Sequence, residues 1–471
     1  MPRSFPLRAG TLAACGLWTH AAVAGGALLC GTAGDELVAA RAGLTREWVV
    51  QIPFDSAGYR LEHLAIGDGM VVATSGDGGV HAVATTSGSV GAARPGSVLW
   101  SQRVGRPGGS GQSAGIGAEI VTIARDLDIH GLNAADGSVK WRRSFGRPAS
   151  GAAVPVGDWV YNPLSGDGVM RMPTNPNARP KPVAGRAGDD RDRQPADDDE
   201  TRKAVAELLR PIAIDASGRV ESAPVPYEGG VVWCTEGGRI VAVIPIKSGW
   251  ERMEFDLNSS SAGPLVEFDL NSSPAGPLVV RGSTIYAATR RGDLARIDDV
   301  SREDVHDIGL TWHVVLPHPP EGGPLVGGDT VAVSLGDEGI MAFSAQTGDE
   351  RWRSCVAGRL VSVTGDRVWC VDRVGRLASL DLATGMPSEW MCLGSFTLPV
   401  ANTVNDRLIL ASADGLVVSL APRRTVSALP PPAPPKPNWK PADDVAPPTD
   451  DADAADAAEP PAADSLENAA P

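Results

Sequence analysis

No two cysteines stand next to each other in this chain, and no Cys-x-x-Cys pair occurs. A vicinal disulfide and a two-cysteine redox motif are therefore excluded, and a thiolate metal site has no paired ligands to start from. Past an apolar N-terminal stretch only Cys234, Cys355, Cys370 and Cys392 remain, a set compatible with a disulfide but not with a dense framework. Their redox state stays open. His63, His81, His130, His306, His313 and His318 show no HExxH-type spacing, so nothing marks a zinc hydrolase. No apolar run beyond the N-terminus is long enough to span a bilayer. Basic clusters are missing as well, and without Lys and Arg to displace counterions a nucleic-acid partner is set aside.

Aromatic residues are scarce at 5%, yet 12 of them are Trp against 4 Tyr and 7 Phe. That skew asks for a reason. Gly 55 and Pro 39 favour many turns, and a chain of 471 residues suits several domains or one large all-β domain. The formal charge of −15 is unevenly placed. Pro441 to Pro471 holds nine Asp or Glu and no Lys or Arg, so −15 + 9 leaves −6 for the rest.

Arg3 and Arg8 precede the run "AGTLAACGLWTHAAVAGGALLCG", with Ala22, Val23 and Ala24 suited to signal-peptidase cleavage. Residues 1–24 are expected to be a signal peptide and the protein to be exported. The phrase "LAAC" at Leu12 to Cys15 also fits a lipoprotein box, which would add a lipid anchor.

What the chain has in quantity is repetition. "GGDTVAVSLGDEGIMAFSAQTGDERW", from Gly327 to Trp352, reads as three short strands separated by Gly and Asp turns, followed by a Thr-Gly turn and a Trp. Versions of it begin near Gly67, Gly117, Gly157, Glu228, Arg281, Gly327, Thr364 and Asn405, giving eight units of a length that suits one four-stranded propeller blade. Trp100, Trp141, Trp250, Trp312, Trp352 and Trp390 each follow a unit at what reads as the same phase. The last unit lacks a fourth strand, and "REWVVQIP" with Trp48 stands alone before the first. Pairing the two closes a ring and removes a sheet edge. The expected fold is all-β, an eight-bladed propeller of four-stranded antiparallel blades over 46–424, closed by the Trp48 strand; seven blades is the alternative.

Three segments fall outside the period. "EFDLNSSSAGPLV" and "EFDLNSSPAGPLV" follow head to tail at Glu254 and Glu267, and the first copy reads as surplus loop or an edge extension between blades four and five. Residues 175–211 form a charged, Pro-rich insertion ending in a short helical pattern, and 430–471 is an acidic Pro/Ala/Asp tail expected to have no fixed structure.

"AFSAQTGDERW" and "GLNAADGSVKW" resemble the tryptophan-docking repeat of pyrroloquinoline-quinone (PQQ) type propellers. The resemblance implies that Trp141, Trp352 and Trp390 pack against a turn glycine of a neighbouring blade. It also implies two functional branches. The quinoprotein dehydrogenases hold PQQ with calcium over a vicinal disulfide, which this chain cannot make, so no catalytic, cofactor-binding or metal residue is carried over. Asp126, Asp128, Asp167, Asp293 and Asp337 are read as turn-stabilising side chains. The other branch resembles the noncatalytic outer-membrane assembly lipoprotein. The expectation is a monomeric protein-binding or scaffolding platform in the periplasm or cell envelope, partnered by other envelope proteins and without a cofactor. A PQQ- or small-ligand-binding oxidoreductase and a secreted or surface adhesion module are the alternatives.

Overall fold

The computed structural model describes residues 32–85, 93–166, 168–175, 210–216, 218–246, 249–256, 272–300 and 307–423. The expected leader, most of the 175–211 insertion, residues 257–271 of the tandem repeat and the tail lie outside them. The ring belongs to the compact unit Met1–Pro435; the second unit, Lys436–Pro471, is likewise outside the described residues.

Eight four-stranded antiparallel sheets follow one another along the chain. Blades 1 to 7 run Leu61–Arg103, Gly115–Ser144, Val154–Asp215, Val225–Asp256, Val279–Val315, Leu325–Ser354 and Gly358–Cys392. Each is a simple meander, whose strands we call a to d from the axis to the rim. Blade 8 takes strands a to c from Leu398–Pro422 and strand d from Leu44–Gln51 at the other end of the chain. The expected closure is observed: Trp48 lies opposite Ser419 in an antiparallel pair. Strand d of blade 3 begins at Ile212, directly after the insertion.

The core is divided by the ring. Each apolar cluster fills the seam between two neighbouring blades, as where Val72, Ala82 and Trp100 of blade 1 meet Val121, Ile123 and Leu132 of blade 2. Strands b and c therefore bury both faces and read as continuous apolar runs such as "TVAVS" and "IMAFS", while strand d buries at most every second residue.

Tryptophan is the wedge in these seams. The indole of Trp100 lies against Gly137 of the next blade and donates from Nε1 to the Ala134 carbonyl at 2.9 Å. Trp312 does the same with Gly348 and Ala345, and Trp352 with Gly385 and Leu382. Trp48 sits on Gly96. A methyl group on Gly385 would come within 2.3 Å of the Trp352 ring, and the positive φ of +77° at Gly348 and +70° at Gly385 also favours glycine. Trp141 donates to the Thr174 carbonyl of blade 3 at 2.7 Å. The side chain of Trp250 lies outside the described residues.

Trp390 departs from the expectation. It is 39% exposed and stacks on the Arg376 guanidinium of its own blade instead of a neighbouring glycine. Two causes combine. Trp100, Trp141 and Trp352 follow their turn glycine by four positions, but Trp390 follows Gly385 by five. The extra residue reverses the inward parity of strand d, so Met391 is buried and Trp390 is turned out. Blade 8 also takes its strand d from the N-terminus, so it has no c–d turn to receive an indole. Helix α1 (Glu36–Arg41) closes this seam instead, setting Val38 and Ala39 against Leu393 and Phe396.

Candidate functional site

A propeller offers two ends and an axis. At one end lie the a–b and c–d turns. The a–b turns carry Asp68, Glu119, Asp158, Glu228, Asp329, Asp366 and Asp406, one acid in every blade except blade 5, where Ser283 stands. Several are two-residue turns: Val156 pairs with Trp159, Gly327 with Thr330 and Thr364 with Arg367. Gly157, Gly328 and Gly365 take φ near +55° as the first turn residue, after which Asp, Asn or Ser fits equally. Turn chemistry thus accounts for a short polar residue but not for its charge. The result is an inner set of carboxylates, of which Asp68, Glu119, Asp158, Asp329 and Asp366 are exposed while Glu228 and Asp406 are half-buried.

At the other end the b–c turns bind themselves. Asp77 accepts from Ser75 and from the Gly79 amide at 3.0 Å and pairs with Arg103 at 3.0 Å. Burial pulls its carboxyl up, but these donors outweigh that and hold it below the usual range. His81, 4% exposed, meets Ser101 at 2.9 Å, and burial lowers its pKa, with Asp77 partly opposing. Asp293 sits between Thr289 at 2.8 Å and His313 at 3.0 Å.

The aspartates singled out in the sequence are dispersed through this end. Asp126, at φ +56°, accepts from the Ser110 amide; Asp128 pairs with Arg142; Asp337 pairs with Arg373. Asp167 lies outside the described residues. Those described belong to blades 2, 5 and 6, and no two blades bring theirs together. Among the described residues no group of three His, Cys, Asp or Glu could hold a metal ion. Cys234 and Cys370 are buried, with thiols pushed up to about 12 by burial, while Cys355 is exposed and Cys392 half-buried; all are free.

The axis holds a feature that sequence reasoning missed. Strand a of blade 8 is only Leu398–Pro399, after which the chain leaves the sheet until Leu408. Asn402 forms a parallel bridge with Ser362 on the innermost strand of blade 7, and its amide donates to the Val361 carbonyl at 2.8 Å. Arg281, on the innermost strand of blade 5, donates to the Thr403 carbonyl at 2.7 Å and to Val326 of blade 6 at 3.3 Å. A side chain cannot run round the ring past two blades, so Thr403 lies near the axis. Pro399 at the break is no sequence signal, since blades 3 and 4 carry Pro155 and Pro226 within their own inner strands. On the rim, a cleft of about 520 Å³ between Asp35, Arg46, Val49, Phe396 and Leu416 marks the closing seam.

With this geometry in view, the chain matches the family described as outer membrane protein assembly factor BamB over residues 11–170, 87–354 and 304–425. It belongs to that family. No curated protein matches the chain in sequence. Among solved structures, BamB from Moraxella catarrhalis superposes with a TM-score of 0.54 at 16% identity, covering 80% of this chain and 97% of that one. The computationally designed Ika8 protein gives 0.51 at 12%, covering 79% and 99%. Sqt1 from Saccharomyces cerevisiae gives 0.51 at 11%, covering 79% and 98%. At these identities the likeness shows the shared propeller fold. Within the BamB family, then, this is a PQQ-like propeller of the assembly-factor type, and among its described residues no helix is long and apolar enough to cross a membrane.

Proposed function

We propose that this BamB-family propeller is a noncatalytic, exported platform that binds or scaffolds other proteins in the bacterial cell envelope. The observation that carries the reading is the family match, which runs through the whole ring from residue 11 to residue 425. The site geometry supports it. The polar groups of the b–c turns are engaged with one another, and the a–b end offers a broad carboxylate-rich surface rather than a convergent pocket. Residence in the periplasm or envelope, with a cleaved leader or a lipid anchor, belongs to the same reading, as does a monomer without a cofactor.

Affinity capture from native envelopes tests it, comparing the full-length protein with a chain ending near Pro430. Recovery of outer-membrane assembly proteins with both would support a platform built on the ring. Adding PQQ with calcium, removing free cofactor and following dye reduction with alcohols and sugars tests the opposite. Stoichiometric retention with substrate-dependent turnover would overturn the noncatalytic reading.

A further inference from the structure

We infer that residues 400–407 are an axial plug and that Arg281 is its lock. Blades 2 and 8 both have an inner strand of two residues, but only blade 8 follows it with eight residues, 400–407, before strand b, where every other blade uses two or three. The plug is internally rigid. The Asn402 side chain accepts from the Val404 and Asn405 amides at 3.0 and 3.2 Å and donates to the Arg407 carbonyl at 2.6 Å, which folds the segment into a compact turn. Its base is fixed, because Arg407 grips Glu47 of the closing strand through two nitrogens at 2.6 and 3.0 Å.

Its tip is held differently. Beyond the single bridge to blade 7, the tie across the axis is the Arg281 guanidinium, bonded to two neutral carbonyls, with no carboxylate in ion-pair reach among the described residues. One cation thereby joins blades 5, 6 and 8. A tip secured by a few bonds on a clamped base is a two-position element: locked, it seals the axis from the a–b end; unlocked, it swings out on Arg407 while the eight sheets stay intact. This inference stands apart from the binding-platform reading, since it concerns the ring alone.

Hydrogen exchange at the Asn402 amide reads the plug directly, because that proton lies in the bond to Val361. In Arg281→Ala, protection at Asn402 should fall at least tenfold while amides of strands b and c in all blades keep theirs. Arg281→Lys, which can replace one of the two bonds, should fall in between. Unchanged protection at Asn402 in Arg281→Ala would overturn the lock. A uniform loss over all blades in both variants would overturn it too, by making Arg281 a support of the whole ring.

Discussion

Trp48 and Trp352 are 5% and 7% exposed, and each presses its indole on a glycine of the next blade. Replacing either by Ala should destabilise by about 3–5 kcal/mol, the range for large buried aromatics. Trp390→Ala should cost about 1 kcal/mol or less, since that ring is part-exposed and holds mainly a cation–π contact. Urea unfolding midpoints of the three variants would rank them. The difference was legible in the sequence, but only as a count: five positions from Gly385 to Trp390, where Trp100, Trp141 and Trp352 follow their glycine by four.

The buried histidines set a pH dependence. Burial lowers the pKa of His81, with Asp77 partly opposing, and lowers that of His130, with Arg142 adding and Asp128 opposing. Both have folded values below the ordinary 6.5, so their contribution is intact above 6.5 and is lost as pH falls from there through the folded values, where the unfolded chain takes up protons first. The thermal midpoint should drop between pH 7 and pH 5, with a shallower drop in the His81→Gln, His130→Gln double variant. The carboxylates of the a–b turns make a separate test. Changing Asp68, Asp158 and Asp366 to Asn keeps the turn chemistry and removes like charges, so the midpoint should hold or rise and become less sensitive to salt.

At the scale of elements, the eight units and their order could be read from short apolar strands between Gly, Asp and Asn turns, because strands b and c bury both faces and the turns between them draw on the same few residues. The axial plug could not be read, since its position depends on contacts from blades 5 and 7 that no local pattern encodes. The tandem repeat falls on strand d of blade 4, Gly249–Asp256, which contains Glu254, Phe255 and Asp256. Deleting Glu254 to Val266 brings up Glu267, Phe268 and Asp269, the same three residues, so the strand is rebuilt from the second copy. The melting temperature should stay within a few degrees of the parent; a large drop would mean that the first copy has a structural role of its own.

For the whole molecule, the closing strand decides whether a ring exists. A chain beginning after Pro53 loses strand d of blade 8, the Trp48 wedge and helix α1 together. It should unfold readily or associate through the exposed edge of blade 8, as size-exclusion chromatography would show. A well-behaved monomer would mean that the ring does not need its clasp.

Glu47 and Ser419, hydrogen-bonded at 3.2 Å, stand 372 positions apart in the chain. Synthesis starts at the N-terminus, so the strand that finishes blade 8 is among the first made and waits for the sheet it belongs to. Until the last strand arrives the molecule is an open arc with two raw ends, and the long separation makes the final join slow. Losing residues before Pro422 would therefore not yield a smaller ring. It would leave a chain that never reaches its completed state, a length check written into the topology.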